Sequence, residues 1–340
     1  MPEPAGGDAA SVRLVVRSEH AGTRLDQLLA AATPLSRRRA RTLIGAGVVR
    51  RNGEPIRVQG RALAAGDVLE LPAAELPGFV PWVPPPIEVL LDDGWLVAVN
   101  KPAGVLSQPA EDRGPRADVH RPAVGATPPI ASAPRPDARE LAMDERLLLR
   151  LAWQEGRPPF LRLVHRIDRN TTGVLLFARQ PAATAPLAAA WREGKVERGY
   201  LAVVEGEPAW ETREVEAPIA RVAGGAWRFE ASPRGERAAT SVRLRAAAHG
   251  VALVECFLRT GRTHQARVHL AHLGHPVVGD RLYGARRDAP RPLLHAAWLA
   301  LPHPRDGAMT RIEAPLPADF VHALPADVAR ALPPSPPSAV

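Results

Sequence analysis

A single cysteine, Cys256, is all the thiol this sequence carries, so no disulfide can close within the chain and no cysteine-built zinc site is open to it. Aromatic residues make up only 4%, with tyrosine confined to Tyr200 and Tyr283, and arginine has displaced lysine everywhere except Lys101 and Lys195. Residues kept at such low frequency are natural places to look for a special role. No apolar run approaches the roughly 20 residues of a membrane-spanning helix. The Gly/Ala-rich start lacks the charged-then-apolar order of a signal peptide, so a cytoplasmic protein is expected.

Hydrophobic residues at 46% and charged residues at 24% are the balance of a folded globular protein rather than a disordered or membrane one. A chain of 340 residues is long enough for a large core plus an accessory domain, and no internal repeat interrupts that reading. The formal net charge of +8 calls for a polyanionic partner, RNA or DNA. Nothing in the pattern suggests a self-associating helix or an exposed apolar stripe, and a monomer is expected.

Residues 1–12 and 330–340 are expected to be disordered, the first rich in Gly and Ala and the second in Pro and Ser. Residues 13–75 read as a small α/β module: an apolar-periodic helix from Leu25, a break at Pro34, then a basic helix that Ser36 caps and Gly45 and Gly47 stop. Asn52-Gly53 signals a hairpin and Gly66-Asp67 a second turn before Val68. The Pro-rich stretch 76–86 reads as a stiff linker. Beyond it, residues 87–320 mix short β-rich runs with a few helices without a βαβ repeat, which predicts an α+β domain around a mixed, largely antiparallel sheet. Residues 108–138, Pro-, Ala- and Arg-rich without periodicity, read as an exposed insertion, and 141–153 as a helix.

Two stretches carry chemistry. In Arg162-Leu163-Val164-His165-Arg166-Ile167-Asp168-Arg169-Asn170-Thr171-Thr172-Gly173, a polar loop between apolar runs concentrates a carboxylate, cations, hydroxyls and a glycine, as loops that display reactive groups do. An ion-paired turn would look similar. In Gly261-Arg262-Thr263-His264-Gln265-Ala266-Arg267-Val268-His269-Leu270, a β-like run turns into a helix whose first turn offers donors to a phosphate or carboxylate. The histidines at 264, 269, 272 and 275 invite a metal reading. The stretch supplies no carboxylate in a ligand pattern, and Gly274 and Pro276 end the helix before His275, so no metal is expected.

These residues resemble the RluA-type pseudouridine synthases, whose signature loop reads His-Arg-Leu-Asp followed by Thr-Ser-Gly and whose later motif reads Gly-Arg-Thr-His-Gln-Ile-Arg-Val-His-Leu. Further agreement comes from Asn100-Lys101-Pro102-Ala103-Gly104, Lys195 to Val203, Gly279-Asp280, Leu282-Tyr283-Gly284 and Leu294-His295-Ala296. Residues 13–75 resemble the alpha-L RNA-binding module of ribosomal protein S-four. The resemblance implies a catalytic domain with a central cleft and cofactor-free conversion of uridine to pseudouridine in structured RNA. Large-subunit ribosomal RNA is the expected target and transfer RNA the nearest alternative.

On that resemblance Asp168 is the essential carboxylate, Arg267 its partner with Arg262 as fallback, and Tyr200 the ring that stacks on the base. Arg166 braces the gap left by an extruded nucleotide. Contacts to RNA are expected from Arg166, Arg262, His264, Gln265, Lys101 and the module's Arg37, Arg38, Arg39 and Arg41. Two readings of other classes stand beside this one: a non-catalytic RNA-binding or ribosome-assembly factor, and a metal-dependent RNA hydrolase. Among departures from the pattern, Thr172 for serine keeps the hydroxyl, Ile167 for leucine keeps the volume, and Arg198 for lysine keeps the charge with another geometry. Ala266 for a larger apolar residue leaves a gap beside Arg267 unless it is filled from elsewhere. Val105-Leu106-Ser107-Gln108-Pro109 and the 108–138 insertion bear on substrate choice rather than on the reaction.

Overall fold

The computed structural model describes residues 11–109, 141–223 and 227–334. The expected insertion from residue 110 onward and the far ends of both expected tails lie outside the described residues. Contacts divide the chain into two compact units, one running to Ile87 and resuming for the stretch up to Leu161, the other comprising Glu88–Ser107 and the chain from Arg162.

In the first unit, strand β1 (Ser11–Val15) already begins within the stretch expected to be disordered. Val12 and Leu14 pair with Leu71 and Leu69 of β4 (Val68–Pro72), and that apolar match orders the chain two residues early. Helix α1 (Leu25–Ala32) buries Leu25, Leu28 and Leu29, and α2 (Arg37–Gly45) buries Ala40, Leu43 and Ile44. That spacing fixes one face of α2 inward and leaves its arginines outside. Ser36 Oγ accepts the Arg39 N–H at 3.2 Å, so α2 starts where the sequence sets its cap.

Between β2 (Arg50–Arg51) and β3 (Glu54–Pro55), Asn52 and Gly53 both take positive φ, 55° and 83°, as a two-residue hairpin turn of this hand requires. The sheet order is β1-β4-β2-β3. Asn52 donates to Asp67 Oδ1 at 2.9 Å and accepts from Val68 N at 2.8 Å, so the two turns lock each other. Although α3 (Met143–Glu155) follows strands of the other unit in sequence, it groups here, with Arg13 donating to the Trp153 carbonyl at 2.6 Å. The Pro-rich stretch is packed on the same unit: Leu76 is buried in its core and the Arg17 guanidinium lies 5.7 Å over the Trp82 ring.

The strands of the second unit's main sheet are β5 (Val89–Asp92), β6 (Leu96–Lys101), β7 (Arg162–Leu163), β8 (Thr172–Ala178), β9 (Glu197–Glu205), β10 (Thr212–Glu216), β13 (Ala239–Ala248), β14 (Val251–Leu258), β15 (Leu294–Pro302) and β16 (Met309–Glu313). They form a ten-stranded sheet with the path β10-β13-β14-β9-β15-β8-β6-β5, to which β16 and β7 add. A separate hairpin joins β11 (Ile219–Arg221) to β12 (Phe229–Ala231). Helices α4 (Pro181–Arg192) and α5 (Gln265–His272) complete the α+β arrangement. Each strand pair in this sheet is antiparallel except β15 with β8, which makes the sheet mixed and largely antiparallel.

That parallel pair sets the register of the centre, with His295 opposite Thr172 and Ala296 opposite Gly173. Gly173 has φ of 114°, and a Cβ there would lie 2.1 Å from the Ala296 carbonyl oxygen, so no other residue fits. Ala296 pairs in turn with Tyr200 of β9. One row of the sheet therefore runs from the strand that leaves the Asp168 loop to Tyr200.

Asp26 in α1 is fully buried and accepts from Arg24 Nε at 3.2 Å, Arg37 Nε at 2.9 Å and Arg41 Nε at 2.8 Å. Burial pushes its carboxyl up, but the hydrogen bonds from Arg41, Arg37 and Arg24 outweigh this and hold it at about 2. A carboxyl depressed in the folded state contributes stability above its unfolded value near 4, lost as pH falls towards 2. Asp26→Asn is thus expected to cost the N-terminal unit on the order of 2 kcal/mol at neutral pH, with wild type and variant converging by pH 2 in urea unfolding. Equal stability at pH 7 would show that the three arginines gain nothing from the carboxylate.

Candidate active site

Asp168 sits in the loop between β7 and β8, where its carbonyl accepts the Thr171 N–H at 3.1 Å and its side chain is 22% exposed. Facing it is the turn from β14 into α5. Gln265 builds that turn: Oε1 accepts from Thr260 Oγ1 at 2.7 Å and Arg262 N at 3.0 Å, and Nε2 donates to Ala239 O and Thr240 Oγ1, both at 2.9 Å. His264, with φ of 57°, turns the chain left-handed immediately before α5, so the first helical turn aims Gln265 and Arg267 inward.

Arg267 grips Asp280 with a two-pronged contact, Nε to Oδ2 at 2.6 Å and Nη2 to Oδ1 at 2.8 Å. Its remaining nitrogen, Nη1, lies 3.4 Å from Asp168 Oδ2. The Tyr283 ring covers the guanidinium, 4.9 Å from its carbon. Burial alone would lower the Arg267 pKa, but the hydrogen bonds and charge of Asp280, with Asp168 behind them, raise it, so the buried guanidinium stays cationic. Both polar contacts to the Asp168 carboxylate among the described residues, from Arg267 and from His264 Nε2 at 4.0 Å, fall on Oδ2. Among the described residues Oδ1 has no partner, and the carboxylate keeps one oxygen available to a substrate.

Tyr200 is nearly buried in β9; burial pushes its phenol up to about 12, with Arg198 pulling it down and Asp168 pushing it further up. It therefore remains a neutral hydrogen-bonding phenol at any physiological pH. His264 is lowered by burial, against the pull of Asp168, and its Nδ1 meets the Tyr283 hydroxyl at 2.8 Å. His165 stacks on Trp191 with ring centres 5.6 Å apart, and its Nε2 accepts the Leu176 N–H at 3.2 Å. Burial, with Arg198 adding to it, lowers this ring to about 3, which makes it a neutral strut of the loop. Beneath the loop, His295 Nε2 meets the Ala314 carbonyl at 3.2 Å, which requires the proton there, so Nδ1 accepts the Thr172 hydroxyl at 2.8 Å.

Several residues expected to touch RNA are placed otherwise. Lys101 is 0% exposed, and its ammonium donates to the carbonyls of Pro102 and Val105, both at 2.8 Å, and Arg169 at 3.0 Å. It binds two loops to each other, not a phosphate. Gln265 is likewise buried, with the four hydrogen bonds of its side-chain amide all made within the protein. Arg262 is half-exposed but paired with Glu236, with Nε on the Arg237 carbonyl at 3.1 Å, which leaves Arg267 as the partner of Asp168. Arg166 is exposed beside Asp168.

In the N-terminal unit Arg38 projects freely among the described residues, while Arg37 and Arg41 are shared with Asp26 and Arg39 with Glu75. The histidine-rich segment is committed to packing: His269 reaches Thr240 Oγ1 at 2.8 Å and the Ala217 carbonyl at 2.9 Å, and His275 the Glu205 carbonyl at 2.9 Å. Sequence reasoning did not single out Asp280, the tightest partner in the site. The one signal was Gly279-Asp280, and a separation of 13 residues from Arg267 says nothing about pairing.

With this geometry in place, comparison with known proteins is informative. A family model described as RNA pseudouridylate synthase matches residues 95–272, and one described as S4 domain matches residues 23–69. An uncharacterized RNA pseudouridine synthase of Chloroflexus aurantiacus is 35% identical over 90% of this chain and 90% of its own length. Ribosomal large subunit pseudouridine synthase D of Zymomonas mobilis is 31% identical over 91% of this chain and 95% of its own. Among solved structures, human RNA pseudouridylate synthase domain containing 4 superposes with a TM-score of 0.51 at 22% identity, over 69% of this chain and 90% of that one, a likeness of fold.

Asp280→Asn keeps the shape of the Arg267 partner but removes its charge. Because small displacements of a reacting group are costly, single-turnover rates are expected to fall on the order of 100-fold with RNA affinity unchanged. An undiminished rate would mean that Arg267 is positioned without Asp280.

Proposed function

The chain belongs to the RNA pseudouridylate synthase family, and on that premise we propose that it isomerises specific uridines of large-subunit ribosomal RNA to pseudouridine, with Asp168 as the essential carboxylate. The observation that carries this assignment is the carboxylate itself, held on one oxygen by a buried guanidinium and open on the other. The ribosomal target is favoured by the relatives named ribosomal large subunit pseudouridine synthase D and by the S4 domain at the N-terminus.

The reaction cuts the bond from the ribose anomeric carbon to a ring nitrogen, turns the uracil and rejoins it through a ring carbon, with one proton moved from that carbon to the nitrogen. Atoms and electrons balance within the nucleotide, so the chemistry needs neither an external redox agent nor water. A carboxylate serves it either by attacking an electron-poor anomeric carbon or by removing a neighbouring sugar proton. Both routes work through the carboxylate oxygens, of which Oδ2 faces the Arg267 guanidinium at 3.4 Å while Oδ1 is left open. Tyr200, neutral and flat, offers a stacking surface for the extruded uracil, and the exposed Arg166 is free to enter the gap in the RNA. Extrusion is required because a stacked uridine hides its glycosidic bond.

Pseudouridine mapping in ribosomal and transfer RNA from cells lacking the gene is expected to show defined large-subunit sites lost, regained with wild type and not with Asp168→Asn. The purified variant should still bind RNA. Losses confined to transfer RNA would replace the substrate, and turnover by Asp168→Asn would remove the assigned role.

Neutralising Arg37, Arg38, Arg39 and Arg41 together is expected to weaken binding of a ribosomal RNA transcript and to lower the salt slope by about one for every phosphate no longer neutralised. An unchanged slope would mean that these arginines contact no phosphate and that Arg37, Arg39 and Arg41 serve only their carboxylate partners Asp26 and Glu75.

A further inference from the structure

Trp227 is the most exposed aromatic side chain among the described residues, 57% accessible on the hairpin that joins β11 to β12. Leaving an indole in water forgoes a large hydrophobic gain. The ring is nonetheless held. The Arg221 guanidinium lies 4.3 Å from its centre, and Phe229 meets it edge to face at 5.7 Å. Arg221 and Arg228 are exposed beside it, so the surface is both flat and cationic.

This surface is tied to the catalytic residues by a continuous series of contacts within the second unit. Phe229 meets His264 edge to face at 5.6 Å, and His264 meets Tyr283 at 5.7 Å. The Phe229 N–H donates to the Tyr283 hydroxyl at 3.2 Å, and Tyr283 covers Arg267, the partner of Asp168. The base of the hairpin is fixed as well. Gly235 packs so closely on the Ile219 backbone that a Cβ would come within 2.3 Å of it, and the adjacent Glu236 is paired with Arg262 at the start of the α5 turn. The indole therefore has a set position relative to Asp168.

We propose that Trp227 and Arg221 form a stacking platform for an unpaired nucleobase of the RNA that flanks the target uridine, and so help to select which uridine is modified. The inference rests on the reading of this chain as an RNA-modifying enzyme. The class of ligand follows from the chemistry: an arginine stacked on an indole presents its second face and its N–H groups outward, the arrangement that receives a base and its phosphate. A buried protein partner would instead call for an apolar surround, whereas a guanidinium lies over this ring and the exposed residues nearest it in the hairpin, Arg221, Arg228 and Glu230, are all charged.

The test uses the full chain and a transcript of large-subunit ribosomal RNA, with abasic nucleotides placed one at a time on either side of the modified uridine. Trp227→Ala is expected to weaken transcript binding about tenfold, the scale of one base stack removed, and Trp227→Phe less. The limiting single-turnover rate at saturating RNA is expected to stay within about twofold, since the ring lies outside the reacting groups. One abasic position should weaken wild type and leave Trp227→Ala no weaker than before, which a misfolded variant would not reproduce; Arg221→Gln should match that position. Equal affinity of wild type and Trp227→Ala, or equal losses from every abasic position in both, would overturn the platform. If wild type binds the transcript but modifies none of its uridines, the functional reading fails, and the binding comparison still decides the platform.

Discussion

Arg267 and Asp280 are two charges taken out of water and set against each other, and the site depends on that pair. Such a pair is costly to bury and more costly to break, since removing one partner strands the other at about 3–5 kcal/mol. Its two short contacts leave the guanidinium no freedom to turn. The third nitrogen is then fixed at 3.4 Å from Asp168, a longer contact than either of the two to Asp280. Oδ1 of Asp168 meanwhile has no partner among the described residues, so the carboxylate is held in place without being saturated.

Much of the second unit exists to hold the two halves of this arrangement in register. The Asp168 loop enters the sheet at Thr172 and Gly173, where the parallel pairing with β15 and the His295 bond to Thr172 fix its exit. Lys101 and Gln265, which carry groups usual at an RNA surface, serve inside as connectors of loops that would otherwise leave carbonyls unpaired. The N-terminal unit follows the same logic, since Asp26 gathers three arginines whose mutual repulsion would otherwise spread them. In both units a buried carboxylate fixes the direction of its arginines, which point to solvent in the first and towards Asp168 in the second.

Local signals were legible where they concern nearest neighbours. Ser36 as a cap, Asn52-Gly53 as a hairpin turn and the inward face of α2 follow from backbone sterics and from helical spacing, which act within a few residues. The motif around Asp168 and the one around Arg267 were equally plain, and the family comparison agrees with what they imply. Long-range placement was not legible. That α3 groups with the first unit, that Asp280 holds Arg267, and that Lys101 is sealed from solvent depend on which loops meet, and no residue type announces it.

Composition, turn chemistry and motif by themselves determined the α+β class, the basic N-terminal helix and the carboxylate on which the reaction is expected to turn. Tertiary structure decided which of the candidate cations face that carboxylate, which are spent as internal struts, and that Asp168 keeps one oxygen open. The reason is physical. Propensity and hydrophobic periodicity are summed over neighbouring residues, whereas the charge state and reach of a buried side chain are set by groups that only folding brings within a few ångströms.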